Sequence, residues 1–155
     1  MLGGFLADPN FLVALAYQRL VVMLCQHCAI PLSQLPYSQK QQALWQSAVG
    51  PDAEIKVRGP GCEECGGKAV IGRRVAAEII WVDETVREYI KKQDMFGLEQ
   101  YLKQQGWVSY QDHALDLIRT GLADPQGVEQ VIGEIDPDLR SKAFDYQALM
   151  ERMNE

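Results

Sequence analysis

The sequence lacks an excess of basic residues and any apolar run long enough to cross a membrane. Its 155 residues carry 15 Lys and Arg against 21 Asp and Glu, for a formal net charge of -6. Nucleic acid is therefore not expected as a partner, because phosphate contacts require clustered Lys and Arg. Asp8, Pro9, Gln18 and Arg19 interrupt the apolar N-terminal run, well short of the ~20 residues of a membrane span. Neither a basic region before this run nor a cleavage site after it indicates an export signal, so we expect a cytoplasmic protein.

The sequence also lacks the common catalytic and nucleotide-binding motifs. The "GGK" at residues 66–68 resembles the end of a phosphate loop. That loop, however, requires glycine where Cys62 stands and Ser or Thr where Ala69 stands. Haem attachment requires His directly after a Cys-x-x-Cys pair, and Ala29 and Gly66 occupy those positions. No nucleophile, base and oxyanion hole can be assembled, so we expect no catalytic and no cofactor-binding residues here.

What the sequence does contain is four cysteines, arranged as "CQHC" (Cys25, Cys28) and "CEEC" (Cys62, Cys65). Two such loops can place four thiolates tetrahedrally around one zinc ion. The separation of the pairs exceeds the usual ribbon spacing, but the cost of loop closure grows only slowly with length. We therefore predict a structural Zn²⁺ site with these four ligands and no open coordination position. A redox dithiol at one of the pairs is the alternative.

The order of apolar and turn-forming residues predicts short strands in the middle of the chain and helices in its second half. Asp8 and Pro9 form a helix start, and the run that follows to Leu24 is apolar on nearly every face, which favours a buried helix. Alternating patterns predict strands over 53–58 and 73–82. Further helices are predicted over 38–49, 83–93, 95–105, 109–120, 125–135 and 137–155.

These elements predict an α+β fold that is mostly helical. We expect a small four-cysteine zinc subdomain with short strands, followed by a small helical subdomain. The predicted boundaries are 1–24 for the leading helix, 25–73 for the zinc-binding subdomain, 74–136 for a strand and the helical C-terminal subdomain, and 137–155 for a terminal helix or tail.

The order of four segments resembles the C-terminal part of the secretion ATPases, the motors of type II secretion and type IV pilus assembly, including plasmid conjugative thin-pilus versions. The segments are "YQRLVVMLCQHC", "GCEECGGKAVIGRRVAAEII", "VDETVREYIKK" and "HALDLIRTGLADPQGVEQVIGEI". The resemblance covers roughly residues 8–136, and the four cysteines match the zinc-containing branch of that family. It implies that Gln18 and Arg19 belong to a helix that contacts the ATPase core.

The resemblance further implies a parent protein that is a hexameric ATPase, powered by ATP and Mg²⁺, at the cytoplasmic face of the inner membrane. The Walker A and B motifs of the family lie upstream of the opening helix, so we expect a fragment without ATP hydrolysis of its own. Its implied partners are the rest of the ATPase core, neighbouring subunits and an inner-membrane platform protein. The apolar helix from Phe11 to Leu24 is expected to drive self-association. A free-standing zinc-ribbon adaptor and a Cys-x-x-Cys redox protein are the alternatives.

Overall fold

The computed structural model describes Asp8 and residues 11–135, which form four strands and five α-helices. The strands are β1 (Ala14–Leu24), β2 (Ile30–Pro31), β3 (Lys56–Val57) and β4 (Val70–Trp81). The helices are α1 (Gln39–Val49), α2 (Glu84–Lys92), α3 (Met95–Gln104), α4 (Tyr110–Arg119) and α5 (Pro125–Ile132). Two 3-10 turns cover Leu32–Gln34 and Glu63–Cys65. The predicted α+β class is confirmed, whereas the predicted terminal helix over 137–155 lies outside the described residues.

The apolar N-terminal run is a strand, and the prediction of a helix to Leu24 is wrong. β1 pairs with β4 in a two-stranded sheet. The amide of Val82 donates to the carbonyl oxygen of Val13 (2.9 Å) at one end, and the amide of Cys25 donates to that of Ala69 (3.0 Å) at the other. The two strands therefore run antiparallel. The helix-forming preference of the run is overridden because β4 offers a partner along its whole length.

The second sheet is small and brackets the segment between the two cysteine pairs. β2 and β3 pair antiparallel, with Ile30 opposite Val57 and Pro31 opposite Lys56. The predicted strand over 53–58 is thus reduced to two residues. The predicted strand over 73–82 is confirmed and begins slightly earlier, at Val70.

Each α-helix begins at a residue whose side chain accepts a hydrogen bond from a free amide of the first turn, which stabilises a helix start by about 1 kcal/mol. These residues are Ser38, Asp83, Asp94, Ser109 and Asp124. The helices predicted over 38–49, 83–93, 95–105, 109–120 and 125–135 are confirmed within a few residues at each end. Among the described residues, no helix combines the length and the apolar character that crossing a membrane requires.

The chain divides into two compact units. The first contains the described parts of Met1–Tyr17 together with Glu78–Val108. In it α2 packs against α3, around the buried side chains of Val82, Val86, Leu98 and Leu102.

The second unit contains Gln18–Ala77 and the described residues from Ser109 to Ile135. Here α4 packs against both α1 and α5. The indole N–H of Trp45, which is fully buried, donates to Glu129 (2.9 Å), and Arg119 donates to the carbonyl oxygen of Val49 (2.8 Å). These contacts place α4 and α5 in the same unit as the cysteine loops, whereas α2 and α3 belong to the first unit.

Candidate metal centre

The four cysteine sulfurs lie together, all within 4.8 Å of one another. The Sγ atoms of Cys25 and Cys62 are 3.7 Å apart, those of Cys28 and Cys65 are 3.8 Å apart, and those of Cys62 and Cys65 are 3.7 Å apart. A tetrahedron with zinc–sulfur bonds of ~2.3 Å has edges of about 3.8 Å. A disulfide would need about 2.05 Å, and all four cysteines are free. The arrangement therefore fits a four-coordinate metal ion and not a disulfide pair.

The first cysteine loop is a tight turn directly after β1. The amides of Cys28 and Ala29 both donate to the carbonyl oxygen of Cys25, at 3.2 and 2.9 Å. Cys25 is fully buried, whereas His27 is exposed and lies outside the cysteine cluster. This turn directs both thiols of "CQHC" to one side.

The second cysteine loop depends on glycine. Gly66 and Gly67 follow the 3-10 turn with φ of +58° and +76°, a region that residues with a Cβ resist. Gly61, with φ of +89°, has a further requirement, since a Cβ there would lie 2.5 Å from the carbonyl oxygen of Gly67. The glycines of "GGK" thus shape a thiol site and not a phosphate loop.

Ala69 and Gly59 join the two loops, and the sequence patterns missed both. The amide of Ala69 donates to the sulfur of Cys65 (3.2 Å), and its carbonyl oxygen accepts from the amide of Cys25 (3.0 Å). A Cβ on Gly59 would overlap the carbonyl oxygen of Cys28 and lie 2.9 Å from its carbonyl carbon. The Gly59-Pro60 dipeptide is a turn signal, but the approach to Cys28 is a long-range contact that no local pattern reveals.

The electrostatics of the cluster favour a bound cation. The amide of Cys62 donates to the sulfur of Cys65 (3.2 Å) and lowers the pKa of that thiol to about 6, and the amide of Ala69 acts in the same direction. Burial raises the pKa of Cys28 to about 12, and the adjacent sulfur of Cys25 adds to this rise. The positive charge of a divalent cation offsets the repulsion between neighbouring thiolates, and it favours deprotonation of the thiols that it coordinates.

Gln18 and Arg19 lie away from this cluster. Both are exposed on β1, and a guanidinium N–H of Arg19 donates to the carbonyl oxygen of Gln18 (3.2 Å). The helix in which the resemblance places them is a strand here. His113 is also not part of the cluster, since its ring Nδ1 accepts from the amide of Ala77 (3.2 Å) on β4.

Comparison with known proteins assigns this chain to a family. The family model described as "Type II/IV secretion system protein" matches residues 6–133. The chain therefore belongs to the type II/IV secretion system protein family.

Two curated relatives each match about half of the chain. The chain is 32% identical over 79 residues to the type IV pilus assembly ATPase PilB of Thermus thermophilus, a match that covers 51% of this chain and 9% of the relative. It is 35% identical over 86 residues to the type II secretion system protein E of Aeromonas hydrophila, covering 56% of this chain and 16% of the relative. The chain thus spans a small part of the length of each relative. The resemblance read from the sequence motifs is confirmed at the level of the family.

Proposed function

We propose that this chain is the zinc-stabilised C-terminal region of a secretion or pilus motor, with a structural and docking role. The observation that carries the proposal is the set of four sulfurs, three pairs of which lie 3.7–3.8 Å apart. Four thiolates arranged tetrahedrally are a donor set that suits zinc, and they leave no open position at which a substrate could bind. Cys25, Cys28, Cys62 and Cys65 hold the ion, and its contribution is to stability.

Metal analysis tests this site directly. Protein purified under reducing conditions is expected to contain one equivalent of zinc, and Cys62→Ser is expected to lose most of it. His27→Ala is the matched control, because this side chain lies inside the first loop but outside the cluster, and it should retain the metal. Zinc well below one equivalent in the unaltered chain, with thiols that cycle between oxidised and reduced forms, would favour the redox alternative instead.

The parent protein that we propose is a hexameric ATPase that drives pilus or pseudopilus assembly. The support is family membership and the two relatives, whose names describe a pilus assembly ATPase and a type II secretion protein. The region described here carries no phosphate loop. We therefore expect the isolated chain to release no phosphate from ATP above buffer, and measurable turnover by the purified chain would contradict this assignment.

Docking onto the rest of the motor is proposed for the exposed side chains of β1 and β4. Ile79 and Trp81, two residues apart on one face of β4, expose 53% and 70% of their surface, and Leu15 on β1 exposes 43%. Exposed apolar patches are typical of interaction sites. In the assembled machine this surface would contact the ATPase core, a neighbouring subunit or the inner-membrane platform protein at the cytoplasmic face.

In the isolated chain the same side chains are expected to cause self-association. This replaces the helix of the sequence prediction with a strand as the associating element. Sedimentation velocity should show concentration-dependent association that Leu15→Ser and Trp81→Ser weaken. Val108→Ser is the control, since Val108 is exposed to a similar degree, 56%, but lies outside both strands. A monomer at all concentrations, or equal effects of all three changes, would contradict the proposed surface.

A further inference from the structure

The turn between α4 and α5 is held by three contacts from residues beside the cysteine loops. The amide of Leu24 donates to the carbonyl oxygen of Leu122 (2.8 Å). The side-chain amide of Gln26 donates to the carbonyl oxygen of Gly121 (3.1 Å). Arg58 forms an ion pair with Asp124, with Nε and Oδ2 separated by 3.1 Å.

All three donors lie next to residues that form the cysteine loops. Leu24 and Gln26 are the two chain neighbours of Cys25, so the loop that presents the first thiol also presents both of them. Arg58 precedes Gly59, whose backbone lies against the carbonyl of Cys28. The cysteine loops and the three contacts that hold the α4–α5 turn therefore belong to one local structure.

Asp124 connects these contacts to α5, because it is the residue that caps the start of α5. Its side chain is only 5% exposed, and it accepts from the amide of Gln126 at the start of α5. Burial raises the pKa of this carboxyl, while the Arg58 guanidinium acts in the opposite direction. If Arg58 moved away, a buried carboxylate would lose its counter-charge, which is strongly unfavourable.

α5 in turn covers much of the core of the second unit. Val128 is fully buried and Ile132 nearly so. Glu129 accepts the indole N–H of Trp45 from α1. Displacement of α5 would therefore open the α1 side of the core as well.

We infer that the tetracysteine cluster is a metal-dependent clamp on the α4–α5 turn, so that loss of the metal undocks α5 while α2 and α3 stay folded. The inference rests on the proposed metal site. α2 and α3 surround a separate hydrophobic cluster without cysteine, and nothing in that cluster needs the ion. Local opening of one cooperative part of a protein is a common form of native-state motion.

Hydrogen exchange of the whole chain, with and without a zinc chelator, tests the clamp. Chelation is expected to increase exchange at least tenfold in peptides from 109–135, together with 25–29 and 61–69, and to leave 84–104 unchanged. Unchanged protection over 109–135 in the metal-free chain would overturn the clamp. Equal loss over 84–104 would also overturn it, because the ion would then stabilise the whole fold without selectivity.

The Arg58→Met variant tests the clamp independently of zinc binding. This variant should still bind one equivalent of zinc, yet its α5 peptides should already exchange faster in the zinc-loaded state and respond less to chelation. Lys91→Met is the control, since Lys91 forms an exposed ion pair with Glu88 on α2 and should behave like the unaltered chain. If the unaltered chain binds no zinc, the proposed site fails; if it binds zinc and Arg58→Met exchanges normally, only the clamp fails.

Discussion

Gly59 provides the most demanding test of how the cysteine site is built, because it is not a ligand. An added Cβ would overlap the carbonyl oxygen of Cys28 and lie 2.9 Å from the carbonyl carbon. Carbon–oxygen contacts normally lie at about 3.3–3.6 Å, and the obstructing atoms belong to the backbone. Gly59→Ala therefore forces the segment before Cys62 away from the first loop by roughly 1 Å or more, estimated from that normal separation.

The expected consequence is a large loss of metal affinity. Metal–ligand distances tolerate deviations of about 0.2 Å, so a shift of this size disrupts the shell. We expect zinc to bind at least a hundredfold more weakly, which corresponds to about 2.8 kcal/mol. Competition titration against a chromophoric chelator measures the affinity, and thermal unfolding measures the linked loss of stability.

Gly66→Ala is the matched control within the second cysteine loop. Its φ is +58°, but a Cβ there would meet nothing within 4 Å. Only the conformational cost remains, about 1–2 kcal/mol for a left-handed residue with a side chain, and zinc should be retained. Wild-type zinc affinity in Gly59→Ala, or equal damage by the two changes, would refute the reasoning.

Two further predictions concern side chains away from the metal. Trp45→Phe should lower the free energy of unfolding by about 2 kcal/mol, because the half-buried Glu129 carboxylate loses the indole N–H as a hydrogen-bond donor, and hydrogen bonds to charged groups are among the stronger ones. Trp107→Phe should cost much less in the same urea titration, since its buried indole N–H has no partner among the described residues; equal losses would contradict this. Asp83→Ala should cost about 1 kcal/mol at pH 7 as a lost helix cap. The Val86 amide lowers the pKa of Asp83 from 3.8, so this contribution is present above about pH 4 and lost below the lowered pKa; a cost unchanged at pH 2 would exclude a charge effect.

The secondary structure could be predicted from sequence wherever local signals decide it. Ser38 and Asp83 cap helices as their sequence contexts indicate, and the alternation before Val82 gives a strand. The run from Ala14 to Leu24 could not be predicted in this way, because Ala, Leu, Gln and Arg favour a helix in isolation. Its conformation comes from pairing with β4, which begins at Val70, 46 residues after Leu24.

The candidate metal site, likewise, could be predicted only where local sequence patterns determine it. The spacing of Cys25 and Cys28, repeated at Cys62 and Cys65, predicted the four sulfurs that the structure brings together. The parts that join the loops escaped prediction, since Ala69 reads as an ordinary apolar residue. The Arg58–Asp124 ion pair escaped as well, because neither residue carries a local signal for its distant partner.

The position of the cysteines along the chain has a consequence for the order of synthesis. All four precede residue 66, whereas the turn that they hold begins after Arg119. At about 5–20 residues per second, the turn emerges from the ribosome roughly 3–11 seconds after the last cysteine. At the proposed site the ion can therefore bind while the second half of the chain is still being made, and α4 and α5 would then fold onto cysteine loops that have already formed.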